Sequence, residues 1–184
     1  GINSPWQTKF GVGSTSEQAS CRQNFNILMT DGYWSAGDKG AFKPGDWDGK
    51  VGDTITSTTG TTYKYNIEKP YADAANADTL ADIAFYYWSR DLRTDMPNNV
   101  PTSRDGTDVA FWQHLVQFTV GLGVYGSLNP ETDLAGLKDG TKSWPNPTLA
   151  DINKVDDLWH AAVNSRGKYF SASDPNEFAD ALKQ

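Results

Sequence analysis

The chain has 184 residues, 38% of them hydrophobic, and a formal net charge of −7. That is enough apolar material for one core and too little length for two comfortable ones, and an acidic chain with no basic run argues against nucleic acid or an anionic membrane as partner. No apolar run approaches the ~18–20 residues of a membrane span, and residues 1–20 lack a charged start followed by an apolar core, so the text reads as a soluble, mature piece.

Residues 1–20 carry Pro, Gly and Ser without a sustained period and read as an irregular lead-in. Cys21 is the single cysteine, so it is either a buried thiol or half of a bridge to another chain. Phe25 to Thr30 (FNILMT) reads as a buried strand that runs into Asp31-Gly32, a carboxylate on a turn. Residues 35–71 read as an excursion from the main fold containing a hairpin, residues 54–57 against 62–67 around Thr59-Gly60. Asn76 or Asp78 then caps a helix that ends before Pro97, with Leu80, Ile83, Ala84, Tyr87, Trp88 and Leu92 on its core-facing stripe. LVQFTVGLGV, residues 115–124, is a second buried strand, and Pro130 and Glu131 open a short helix near residues 133–137. Val155, Leu158, Trp159, Ala162 and Val163 mark a further helix stopped by Gly167. Residues 168–172 form a third strand, and Asp174-Pro175 starts a last helix with Phe178, Ala179 and Leu182 inward. Strands alternating with helices imply crossover connections and a parallel sheet, with ligands gathering at the strand carboxyl ends, where Asp31 sits.

The string ILMTDG resembles the fourth-strand motif of von Willebrand factor A-type domains, in which the aspartate contributes to a metal-ion-dependent adhesion site. More specifically, CRQNFNILMTDGYW, TLADIAFYYWSRDLRTDMPNNVP, FWQHLVQFTVGLGVYG and VDDLWHAAVNSRGKYFSA resemble the PilY-type, type IV pilus tip-associated adhesins and biogenesis factors, over roughly residues 21–182. The resemblance implies a large extracellular protein at the pilus tip of a Gram-negative bacterium, with an adhesion-type domain followed by a β-propeller. It further implies minor pilins and host or abiotic surfaces as partners, and a role in pilus biogenesis, surface attachment and twitching motility. The expected fold is α/β: a partial Rossmann-like (von Willebrand A-type) parallel sheet flanked by helices with an inserted β-hairpin, residues 1–184 forming a single truncated domain. The Asp-x-Ser-x-Ser of a complete adhesion domain is missing, which leaves Asp31 as an incomplete site for Mg²⁺ or Ca²⁺ in the intact protein. It also leaves the 25–30 edge unpaired, to be covered by the lead-in, the excursion or another copy of the chain.

GDWDGKVGD sets Asp46, Asp48 and Asp53 around glycines, three carboxylates that could face Ca²⁺, although the spacing departs from the helix-loop-helix pattern and a solvated acidic loop is the plainer reading. GLGVYG, residues 121–126, fits G-x-G-x-x-G, yet Ser127, Leu128, Asn129 and Pro130 delay the helix whose amides would have to meet a pyrophosphate. His114 and His160 have no acid, Ser or Cys at triad or ligand spacing, and Asp156-Asp157 is expected in the first turn of its helix. Tyr33, Trp34 and Trp47 are the expected partly exposed contact aromatics. The functional expectation is therefore a non-enzymatic adhesion and assembly module. Its alternatives are a cofactor- or metal-dependent enzyme domain and a structural module whose Asp31 is vestigial.

Overall fold

A computed structural model describes residues 4–6, 19–31, 33–34, 42–73 and 76–172. Its elements are β1 (Phe25–Thr30), β2 (Ile55–Thr56), β3 (Thr62–Tyr63), α1 (Leu80–Trp88), β4 (Val116–Leu122), α2 (Leu134–Asp139), α3 (Asp151–Asn164) and β5 (Tyr169–Ala172). The main sheet has the order β1-β4-β5 and is parallel throughout, with Phe25 opposite Val116 and Thr119 opposite Tyr169. The antiparallel pair β2-β3 stands apart from it. This is the expected α/β arrangement, a partial Rossmann-like parallel sheet flanked by helices with a separate hairpin. The lead-in beyond residues 4–6 and 19–20, residues 35–41 of the excursion and the last helix from residue 174 lie outside the described residues.

β4 is the central strand and is buried along most of its length, as its run of Val, Phe, Thr and Gly requires of a strand covered on both faces. β1 has the expected bounds but the opposite environment: Phe25, Ile27 and Met29 are 57%, 54% and 49% exposed. Apolar composition alone does not distinguish a central strand from an edge strand. Here β1 is paired on one side only, by β4, and among the described residues neither the lead-in nor the hairpin pairs with its outer edge.

α3 packs against both β4 and α1. It is buried nearly all round, acids included, a pattern wider than the apolar stripe read from the sequence. α1 is capped by Thr79 rather than by Asn76 or Asp78. Its hydroxyl accepts from the Asp82 amide while Asp82 accepts from the Thr79 amide, a T-x-x-D capping box. The helix ends at Trp88, so Leu92 falls outside it, where its amide donates to Gln113 O. The buried face runs through Ala81, Ala84, Phe85 and Trp88, and Tyr87 turns to solvent.

The hairpin is shorter than expected, yet it belongs to the core. Ile55 and Tyr65 are buried with Phe85, Trp88, Ala110 and Trp112, and Tyr63 stacks on Trp112 with centroids 4.9 Å apart. A lone two-stranded ribbon cannot bury its own aromatics, so it draws on α1 and the segment before β4. Arg166, at φ 64°, places its guanidinium 3.5 Å from the Trp88 ring centroid and 3.6 Å from that of Tyr71, closing this cluster beneath α3.

At Gly167, between α3 and β5, a Cβ would overlap the Gln117 carbonyl of β4, which is backbone and cannot yield. Gly167→Ala should therefore destabilise the chain by on the order of 1–3 kcal/mol, an overpacking cost, as a fall in the denaturant midpoint at unchanged slope.

Candidate functional site

The polar groups that a sequence reader would collect into a site are mostly inside the molecule. Asp156 and Asp157 fall in the second turn of α3 rather than the first, because the helix begins at Asp151. Their electrostatic role is therefore toward other elements. Asp157 accepts from the Leu80 and Ala81 amides at 3.0 and 3.1 Å, capping the amino end of α1. Asp156 accepts from the Ser127 and Leu128 amides, both at 3.0 Å, and from the Ser127 hydroxyl at 2.6 Å.

That second set decides the reading of GLGVYG. The amides that follow the glycines are the ones a phosphate would use in a nucleotide site, and an internal carboxylate already occupies them. Gly126 is required for this reason, since a Cβ there would overlap Asp156 Oδ1.

Around α1's amino end lies a denser group. Asp46, Asp48 and Asp82 each bring one carboxylate oxygen within 4.8 Å of the others. Asp82 Oδ1 accepts from the Trp47 amide at 2.6 Å, and Asp46 Oδ1 from Gly49 N at 2.9 Å. Asp48 is only 1% exposed, so the solvated-loop reading fails for it. Long-range partners draw it in: Asn164 Nδ2 donates to its Oδ2 at 2.8 Å, and the Tyr65 hydroxyl donates to its carbonyl at 2.8 Å. Burial, reinforced by Asp82, Asp73 and Asp46, pushes its carboxyl up to about 8. Burial likewise raises Asp157 to about 7, against the pull of its two amide donors, and lowers His160 to about 3. His160 Nε2 meets the Tyr71 carbonyl at 2.7 Å, with Asp48 Oδ2 at 3.7 Å.

Asp53 is exposed and stands outside this group. Asp31 is exposed just beyond the carboxyl end of β1. His114, in contrast to its sequence surroundings, does have an acid: its Nε2 lies 2.9 Å from Asp108 Oδ2 and its Nδ1 2.7 Å from the Trp112 carbonyl, while Trp88 Nε1 donates to Asp108 Oδ1. The connecting segment has no regular period, so no spacing rule could have found the pair. Cys21 is exposed rather than buried.

Tyr33 is exposed, and Trp34 and Trp47 are half-buried. Lys154 Nζ lies 5.1 Å from the Trp34 ring, and Trp47 Nε1 donates to Ser89 Oγ at 3.0 Å. The fold adds aromatics the sequence reading did not select. Phe42, Tyr86 and Tyr87 pack together, with Trp47 against Tyr86 and Arg90 over the same ring at 4.2 Å. Beside them a cleft of about 500 Å³ is lined by Trp47, Tyr65, Phe85, Arg90, Asp91 and Asn98, among others. Among the described residues no helix is long and apolar enough to cross a membrane.

Fold and site together define a partial Rossmann-like α/β protein that uses its acids as internal anchors and turns an apolar edge strand outward. Three curated relatives are similar to the chain in sequence. The type IV pilus biogenesis factor PilY1 of Pseudomonas aeruginosa strain PAK is 37% identical over 210 residues and all of this chain. PilY1 of strain PAO1 is 36% identical over 205 residues, again all of the chain, and that of strain UCBPP-PA14 is 37% identical over 201 residues and 95% of it. No family model matches, and no solved structure matches significantly. Along its length the chain is similar to a part of the PilY1-type type IV pilus biogenesis factors, and it spans 17% of the length of these relatives.

The raised carboxyl of Asp48 gives a signed pH dependence. Between the ordinary 3.8 and about 8 the folded chain keeps a proton there that the unfolded chain has released, so this group's contribution to stability is lost as pH rises through that window. Asp48→Asn preserves the bond from Asn164 and removes the titration. In chelator, its stability advantage over the wild type should grow between pH 4 and pH 8 at up to about 1.4 kcal/mol per pH unit. A difference that stays flat in urea melts across that range would contradict the assignment.

Proposed function

We propose that this chain is a non-enzymatic adhesion and assembly module of an extracellular, pilus-tip protein, supporting pilus biogenesis, surface attachment and twitching motility. The pilus role is supported by the similarity to the type IV pilus biogenesis factor PilY1. The observation that carries the module reading is the exposed face of Phe25, Ile27 and Met29 on a strand whose outer edge is open among the described residues. An apolar strand left open in this way is a template for further chain. The remainder of the parent protein, including a β-propeller, is the first partner to consider, and minor pilins and host or abiotic surfaces are the next. Tyr33, Trp34 and Trp47, with Phe42 and Tyr87 nearby in the fold, are the contact aromatics on this reading. Asp31 at the strand end contributes to a site for Mg²⁺ or Ca²⁺ that other parts of the intact protein complete.

An enzymatic reading finds less support. Asp156 takes up the amides of the glycine turn, and His114 and His160 are engaged with Asp108 and the Tyr71 carbonyl.

Ile27→Lys/Met29→Lys tests the proposal. Both side chains are exposed, so the isolated chain should keep its unfolding free energy to within the roughly ±0.5 kcal/mol usual for surface changes. Carried into the full-length protein in a strain lacking its own copy, the pair should reduce twitching zones and surface pili several-fold. Normal motility and piliation with the variant protein present at wild-type level would overturn the module reading.

A further inference from the structure

We propose that the 45–53 loop and the amino end of α1 form a binding site for a hard divalent cation, Ca²⁺ in preference to Mg²⁺, with Asp46, Asp48 and Asp82 as its carboxylate ligands. The site lies away from Asp31, and it stands or falls separately from the pilus-module reading.

Three observations meet there. First, three carboxylates converge within 4.8 Å although they come from two separate elements, a loop and a helix start. Among the described residues none of the three forms an ion pair with Lys or Arg. His160 lies 3.7 Å from Asp48 Oδ2, with its Nε2 directed at the Tyr71 carbonyl. Lys50 of the same loop reaches the Pro44 carbonyl and the Trp47 ring instead. Carboxyls brought together without a counter-ion disfavour one another's ionised form, and a bound cation reverses that.

Second, two buried oxygens at this place have no hydrogen-bond partner, Asp48 Oδ1 and Asn164 Oδ1, on residues 1% and 0% exposed. The two side chains are joined, since Asn164 Nδ2 donates to Asp48 Oδ2. A buried acceptor left without a donor is costly, and the neighbouring Asp82 is by contrast bonded at both of its oxygens, Oδ1 by the Trp47 amide and Oδ2 by Thr79. Asp82 is held by the Trp47 and Thr79 amides, Asp46 by the Gly49 amide and Asp48 by Asn164. One oxygen of Asp48 is thus held for orientation while the other is free to ligate, the division of labour that second-sphere bonds give to metal-ligating carboxylates.

Third, the ligand atoms are all oxygen, which selects a hard cation over zinc or copper. Ca²⁺ accepts irregular sets of six to eight oxygens, waters among them, whereas Mg²⁺ demands a near-octahedral set and sheds its waters reluctantly. A site that combines a buried carboxylate with a half-buried one at the rim, Asp46, suits the first ion better.

The test uses the whole chain, stripped with chelator, then titrated with CaCl₂, MgCl₂ and TbCl₃. Trp47 lies within the loop, so a bound Tb³⁺ should be sensitised by tryptophan excitation and displaced by Ca²⁺. The expected result is a Ca²⁺-dependent rise in melting temperature that exceeds the Mg²⁺ effect at equal concentration. Terbium emission should weaken at least tenfold in apparent affinity in Asp48→Asn and in Asp46→Asn, and be unchanged in Asp53→Asn. Asp46 is half-buried, so its variant tests the site independently of the buried Asp48. No Ca²⁺ effect on the wild type, an effect that survives both variants, or equal loss in Asp53→Asn would each overturn the proposal. Motility of a full-length variant plays no part in these readouts, so failure here and failure of the pilus-module reading are separately visible.

Discussion

The rest of the structure depends on two adjacent carboxylates in the middle of α3. Asp156 holds the turn after β4 through Ser127 and Leu128, and Asp157 holds the start of α1 through Leu80 and Ala81. Each is a charge-assisted contact to backbone amides that otherwise lack a partner, one set at a helix start and one at a glycine turn. Because the two acids are neighbours on one helix, they fix β4, α3 and α1 to each other in one register. The same helix adds the Leu158 carbonyl, which accepts from Thr119 Oγ1, and is followed by Ser165, whose hydroxyl bridges to the Gln117 backbone. α3 is therefore a polar helix buried on nearly every side, stable because almost every polar group it carries has a defined partner.

From that anchor the distribution of surface and interior follows. β4 is enclosed by α3, β5 and β1, and β1, which among the described residues pairs with β4 alone, leaves Phe25, Ile27 and Met29 exposed. The hairpin, far from being an appendage, supplies Ile55, Tyr63 and Tyr65 to the aromatic core that Arg166 caps from beneath α3. Asp46, Asp48 and Asp82 gather where the loop before the hairpin meets the start of α1, Asp82 also holding the Thr79 and Trp47 amides. The glycine-rich turn is closed by the internal carboxylate of Asp156, which takes up its following amides.

Much of the fold was legible because strand and helix periods in this chain are strong. β1 was read to the residue, and β4, α3 and β5 within a few residues of their ends. What could not be read were the partners of polar side chains. Thr79 was overlooked as a cap in favour of Asn76 and Asp78, although T-x-x-D at 79–82 was there to be seen and would also have pointed to Asp82. Asp48 looks like a loop acid because nothing within the loop shows that Asn164, 116 positions away, holds it. The Asp108–His114 contact arises from an irregular segment to which no spacing rule applies. The exposure of Phe25, Ile27 and Met29 was hidden for a different reason: an apolar strand in the sheet centre and one at its edge have the same composition.

The most direct test of the central role of α3 is hydrogen exchange at four amides, Leu80, Ala81, Ser127 and Leu128, compared between the wild type and Asp157→Asn. If α3 anchors both neighbours, all four are protected in the wild type. The variant then loses protection at Leu80 and Ala81 while Ser127 and Leu128, held by Asp156, keep theirs. Rapid exchange at Leu80 and Ala81 already in the wild type would contradict the anchoring of α1 by α3.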